Sequence, residues 1–196
     1  MGQGADLSVL VSDVRACRLC AAELPLGPRP VIQVHDDSRV LIVGQAPGRR
    51  VHETGRPFND PSGVRLRRWL GVDDETFYDP SRFALLPMGF CFPGTSKGGD
   101  LPPRKECAEA WRQPLLDCLG SIRVTILLGR YALAWHLPEA QGTLSQIVET
   151  WREYAPRVFV APHPSPRNQR WLRNNPGFER DTVPALQKAV AAALKN

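Results

Sequence analysis

Four short runs of apolar and β-branched residues recur along this chain, separated by amphipathic stretches. They are VLIVGQ (Val40–Gln45), FALLPMGF (Phe83–Phe90), VTILLGR (Val124–Arg130) and RVFVAPH (Arg157–His163). Continuous runs of this length suit strands buried on both faces, as inside a parallel sheet. Helical spacing marks Leu7–Ala16, Ser62–Leu70, Arg104–Leu119, Arg130–His136, Leu144–Trp151 and Thr182–Lys195. The alternation predicts an α/β fold in three layers, a central four-stranded, mostly parallel sheet flanked by helices and joined by right-handed crossovers. A length of 196 residues without repeats suits one domain over 1–196.

Three unusual loops follow these strands. GQAPGRR leaves the first, PMGFCFPGTSKGGDLPP the second and APHPSPRN the fourth. Ligands of open α/β sheets bind beyond the carboxyl ends of the strands, so the three loops are expected to meet at one site. The longest apolar stretches fall far short of the ~20 residues of a membrane span. The sequence MGQGADLSVLVSDVR lacks the features of a secretory signal, so a cytoplasmic protein is expected. Lys plus Arg number 25 against 20 acidic residues, a net charge of +5. Most of these cations are Arg, whose planar guanidinium suits phosphate. The excess is compatible with a nucleic-acid partner and equally with an ordinary basic enzyme.

The chain has five cysteines. Cys17 and Cys20 form a C-x2-C pair in a polar, proline-rich stretch; Cys91 and Cys107 lie far downstream, and Cys118 stands apart. Four such thiolates can surround zinc or a [4Fe–4S] cluster, and spacing alone does not choose between them. Either would staple an N-terminal segment of about 1–35 to the body.

VGQAPGRRVHETGRPFNDPSG and PHPSPRN together resemble the uracil-DNA glycosylase superfamily. The cysteine pattern is similar to its iron–sulfur branch, family four, while HPSPRN is closer to the single-strand-selective monofunctional enzymes. The resemblance implies a [4Fe–4S] cluster on Cys17, Cys20, Cys91 and Cys107, with zinc as the alternative. It implies that the loop Gly44, Gln45, Ala46, Pro47 and Gly48 holds the hydrolytic water beside the base. Phe58 would stack on the base, and Asn59 and Met88 would border it. His163 would stabilise the negative charge that bond cleavage leaves on the ring. Ser165, Arg167, Asn168 and Arg170 would contact DNA, with Arg167 in a wedge that fills the space of the flipped base. Trp171 reads as an anchor for that loop, and Arg49 and Arg50 would share its face. His35, His52 and His136 carry no such context and read as surface or core residues.

Two positions depart from the resemblance. Family four has a glutamate where this chain has Gln45, and an amide can orient water but cannot take its proton. Asp60 is the nearest carboxylate, expected to activate water or stabilise the cationic sugar; it also reads as a helix N-cap. Glu53 is the reserve. Family four also has a base-reading asparagine where this chain has Pro87, which leaves the Met88–Phe90 backbone or Asn59 to read the edge.

The expected function is therefore a monofunctional glycosylase, active as a monomer on DNA containing uracil or a related deaminated base. Hypoxanthine or xanthine specificity, a damage sensor without hydrolysis, and a hydrolase of free nucleosides are the alternatives.

Overall fold

The computed structural model describes residues 6–195. Its strands are Val40–Val43 (β1), Phe83–Leu85 (β2), the short pair Thr95–Ser96 (β3) and Gly99–Asp100 (β4), Val124–Leu128 (β5) and Val158–Ala161 (β6). The main sheet runs β2-β1-β5-β6 and every pair in it is parallel, whereas β3 and β4 form a separate antiparallel hairpin. All four residues of β1 are buried, as a β-branched run at the centre of a doubly covered sheet requires. The chain leaves β1 for β2 on one side and later returns to β5 on the other. That reversal opens a crevice at the carboxyl ends of β1 and β5.

The helices are Leu7–Ala16 (α1), Arg49–Thr54 (α2), Pro61–Leu70 (α3), Asp74–Tyr78 (α4), Lys105–Cys107 (α5), Gln113–Asp117 (α6), Arg130–His136 (α7), Leu144–Glu149 (α8), Gln169–Asn174 (α9) and Val183–Ala193 (α10). One apolar core joins Leu10 and Val14 of α1, the sheet, and Leu186 and Val190 of α10. Helix α3 shows why the chain stops and starts where it does. Asp60 caps it, Pro61 opens it, and Gly71 closes it in the left-handed conformation. The helix expected over Arg104–Leu119 is interrupted by a π-helical turn at Ala108–Arg112. Pro114, in the first turn of α6, has no amide hydrogen to continue the α-helical ladder, and the backbone widens before it. The same arrangement recurs at Phe178–Thr182 ahead of Pro184.

That widened turn holds Arg112, which is fully buried. Its guanidinium donates to Leu86 O at 3.3 Å, Pro87 O at 2.9 Å and His136 Nε2 at 3.2 Å. His136 must therefore accept through Nε2 and stay neutral. Burial, with the adjacent Arg112 charge, pushes its pKa down to about 4. The unfolded chain binds a proton on this imidazole below about 6.5 and the folded chain does not until about 4. Stability is thus present above that window and lost as pH falls through it, by roughly 3 kcal/mol. His136→Gln keeps an acceptor and removes the titration. Urea unfolding at pH 7 and pH 4.5 should show a smaller acid loss in the variant than in the wild type; equal losses would contradict this assignment.

Candidate active site

A cleft of about 540 Å³ opens beyond the carboxyl ends of the main-sheet strands. The exit loop of β1 supplies Gly44, Gln45, Ala46, Pro47 and Gly48; the segment before α3 supplies Phe58 and Asp60; the loop after β6 supplies His163, Ser165, Arg167 and Asn168. The convergence expected from the sequence is present, and the hairpin β3–β4 adds Gly98, Gly99 and Asp100.

Phe58 is the only described non-glycine residue with positive φ, at 52°. So bulky a residue occupies that region only when its surroundings hold it there. Tyr78 Oη donates to Pro57 O at 3.0 Å, and Arg67 Nη1 donates to Phe58 O at 3.4 Å. Gly63 lets α3 approach this loop, since a Cβ there would stand 1.7 Å from Phe58 O. The ring then lies edge-on to Phe77, with centroids 6.1 Å apart, and its tip is 3.3 Å from where a Cβ on Gly44 would be. A half-buried aromatic face is thereby fixed beside the first residue of the β1 loop.

Asp60 caps a helix and also faces the cleft. Its Oδ1 accepts from Gly63 N at 2.9 Å as the α3 cap, and the carboxylate also borders the cleft. Gln45 donates through Nε2 to Leu101 O at 3.1 Å, which leaves its carbonyl oxygen as an acceptor. Ser165 N donates to His163 Nδ1 at 3.3 Å, so the proton of the neutral ring sits on Nε2 as a hydrogen-bond donor. Burial holds the His163 pKa below the usual range, partly opposed by the Asp60 charge. Asn168 Nδ2 donates to His163 O at 2.7 Å, and Arg65 Nη1 donates to Ser165 O at 3.0 Å, bracing the loop from inside and from α3.

Some predicted residues lie elsewhere. Asn59, Arg170 and Glu53 do not line the cleft. Met88 is buried beneath it, and its amide donates to Gly44 O at 2.9 Å. Gly89 N donates to Gln45 O at 2.9 Å. The Met88 and Gly89 amides are therefore spent on holding the β1 loop and are not free to read a base edge. Arg167 lines the cleft, but its guanidinium donates to Gly98 O of the hairpin at 2.9 Å rather than standing clear as a wedge. Trp171 anchors its loop as expected, donating to Ser145 Oγ at 2.7 Å. Arg65 and Asp100 were not foreseen. The Gly98–Gly99 pair was the available signal for a hairpin, since such dipeptides mark tight turns.

Cys17, Cys20, Cys91 and Cys107 line one narrow cavity with Leu24, Pro30 and Phe90, while Cys118 caps α6 elsewhere. Burial pushes the Cys91 thiol up to about 11 and the Cys107 thiol up to about 12. Among the described residues, no three His, Cys, Asp or Glu side chains are grouped closely enough to hold a metal ion. Two nitrogen donors nonetheless lie beside these sulfurs. Trp111 Nε1 donates to Cys17 Sγ at 3.3 Å, and Arg104 Nε, beside Cys20, is buried without a hydrogen-bond partner. A donor left unpaired in this position fits an anionic thiolate group.

The fold and cleft define an α/β protein with an open cleft at the sheet's carboxyl edge, walled by an aromatic side chain, a carboxylate and a neutral histidine. Residues 32–187 match the sequence model of the Uracil DNA glycosylase superfamily, and the chain belongs to that superfamily. The superfamily is one of DNA glycosylases, and membership is consistent with DNA as the partner. A solution NMR structure from Methanosarcina acetivorans, of a protein provisionally named a uracil DNA glycosylase, is similar at 14% identity and a TM-score of 0.43; the match covers 80% of this chain and 93% of that one. No helix among the described residues is long and apolar enough to cross a membrane.

Proposed function

We propose that the protein hydrolyses the N-glycosidic bond of uracil in DNA and leaves an abasic site. The observation that carries this reading is the meeting of Phe58, Gln45, Asp60 and His163 in one cleft, beside the Ser165–Asn168 loop. A base acted on by such an enzyme must leave the stack and enter a pocket. Phe58 offers it a π-face, and His163 Nε2–H offers a donor to the ring oxygen where negative charge develops. Asp60, with one oxygen in the helix cap, places its remaining charge against the cationic sugar. Gln45 orients water through its free carbonyl oxygen. No lysine borders the cleft among the described residues, which supports water as the nucleophile over a Schiff base.

A second reading, a damage sensor that binds without hydrolysis, is favoured by Gln45 in place of an acid and by the spent amides of Met88 and Gly89. Single- and double-stranded oligonucleotides bearing uracil, hypoxanthine or xanthine separate the two. Free base and alkali-labile sites support the enzyme; stoichiometric retention of intact DNA supports the sensor.

Cys17, Cys20, Cys91 and Cys107 would hold a [4Fe–4S] cluster that staples the N-terminal segment and takes no part in the hydrolytic step. Purified protein should be brown, absorb broadly near ~400 nm, and carry iron and acid-labile sulfide. Colourless protein with stoichiometric zinc would replace the cluster by a zinc site on the same thiols.

A further inference from the structure

The hairpin β3–β4 brings to the cleft a carboxylate that no sequence motif marks. Arg167 ties the hairpin to the histidine loop through Gly98 O, and Gln45 ties its outgoing strand to the β1 loop through Leu101 O. Between these two ties, Asp100 lines the cleft, with Oδ2 3.4 Å from where a Cβ on Gly48 would stand. Its carboxylate accepts no hydrogen bond among the described residues. The other groups of the site are otherwise engaged or unsuited. Asp60 gives one oxygen to the α3 cap, Gln45 cannot accept a proton, His163 has its Nδ1 lone pair bonded to Ser165 N, and Glu53 lies outside the cleft.

We propose that Asp100 is a catalytic residue, the acceptor of the proton from the attacking water. This rests on the reading of the protein as a glycosylase. In the step, the bond from C1′ to the base nitrogen breaks and its electron pair leaves with the base. The water oxygen bonds to C1′, and one water proton passes to Asp100. The base departs as an anion facing His163 Nε2–H, and Asp100 later releases its proton to solvent or to the departed base. One water is consumed and no redox change occurs.

The charged and titratable groups facing Asp100 are Arg167, Asp60 and His163. Burial raises its carboxyl above the usual range, with Arg167 opposing and Asp60 adding to the rise. A carboxylate with a raised pKa is the better proton acceptor near neutral pH. The wild-type rate should fall on the acid side as this group protonates.

Asp100 stands on an exposed hairpin outside the core, so its variants can be compared at equal stability. Single-turnover release from a uracil oligonucleotide should drop about 100-fold or more in Asp100→Asn, with affinity for a tetrahydrofuran abasic duplex within about 3-fold of wild type. The acid limb of the pH profile should disappear in Asp100→Asn. Formate should restore Asp100→Ala by about 10-fold or more, because a small carboxylate can occupy the vacated place. Wild-type release by Asp100→Asn would overturn the assignment. So would a rate loss matched by lost affinity, or one with the acid limb intact and no formate rescue. If the wild-type protein itself frees no base from any oligonucleotide, the glycosylase reading fails, and the Asp100 role with it.

Discussion

His163→Ala is expected to slow base release by about 100- to 1,000-fold, the usual cost of removing one donor to a developing anion. The geometry gives the reason. Ser165 N occupies Nδ1, burial keeps the ring neutral, and the loop carrying it is braced by Asn168 and Arg65. The Nε2–H is therefore already in place and pays little reorganisation cost when the base departs. The loss should fall on the single-turnover rate and hardly on affinity for abasic DNA, because the charge it meets exists only as the bond breaks. A loss below about 10-fold would mean that another group carries the leaving anion.

Gly63→Ala should be the most damaging change that adds only one methyl group. Its Cβ would lie 1.7 Å from Phe58 O, so α3 and the Pro57–Asp60 segment must separate. Separation breaks the contacts that hold Phe58 at positive φ and shifts Asp60 from the cap it forms through Gly63 N. Overpacking of this kind costs about 1–3 kcal/mol. Urea unfolding should register that loss, and single-turnover release should fall with it as the aromatic face leaves the cleft. Wild-type stability together with a wild-type rate would contradict this account of how Phe58 is held.

Much of this architecture is legible in the sequence because the strand signal is dense. VLIV and VTILL are β-branched, buried on both faces and followed by glycine, so their position and their parallel pairing follow from one pattern. The bounds of α1 and α7 follow from helical spacing in the same way. Three short helices were not foreseen. α2, α4 and α9 have six residues or fewer, too short for a periodic apolar face to emerge. The π-helical turn at Ala108–Arg112 depends on a proline two residues later, a local effect that apolar periodicity does not register.

The site divides along the same line. Gln45, Asp60, Phe58 and His163 stand in or beside recognisable motifs, and the structure brings all four together. Asn59 follows Phe58, whose left-handed backbone turns the chain, and Met88 lies in a bend beyond β2, so adjacency in sequence does not carry either side chain to the cleft. Arg65 braces the histidine loop across 100 residues of sequence, and Asp100 reaches the cleft through hairpin geometry. The Arg65 contact leaves no local trace in the chain, and for Asp100 the Gly98–Gly99 pair marks only the hairpin turn, not where it docks.

The central claim is enzymatic turnover on DNA. Wild-type protein and His163→Ala should be incubated with an excess of a uracil-containing oligonucleotide, single- and double-stranded, while free base and alkali-labile strand are counted together. The account predicts several equivalents of free uracil per protein, matched one for one by abasic sites, with release by His163→Ala slower by about 100-fold or more. Intact DNA held at one equivalent per protein, with no free base from either strand form, would contradict it.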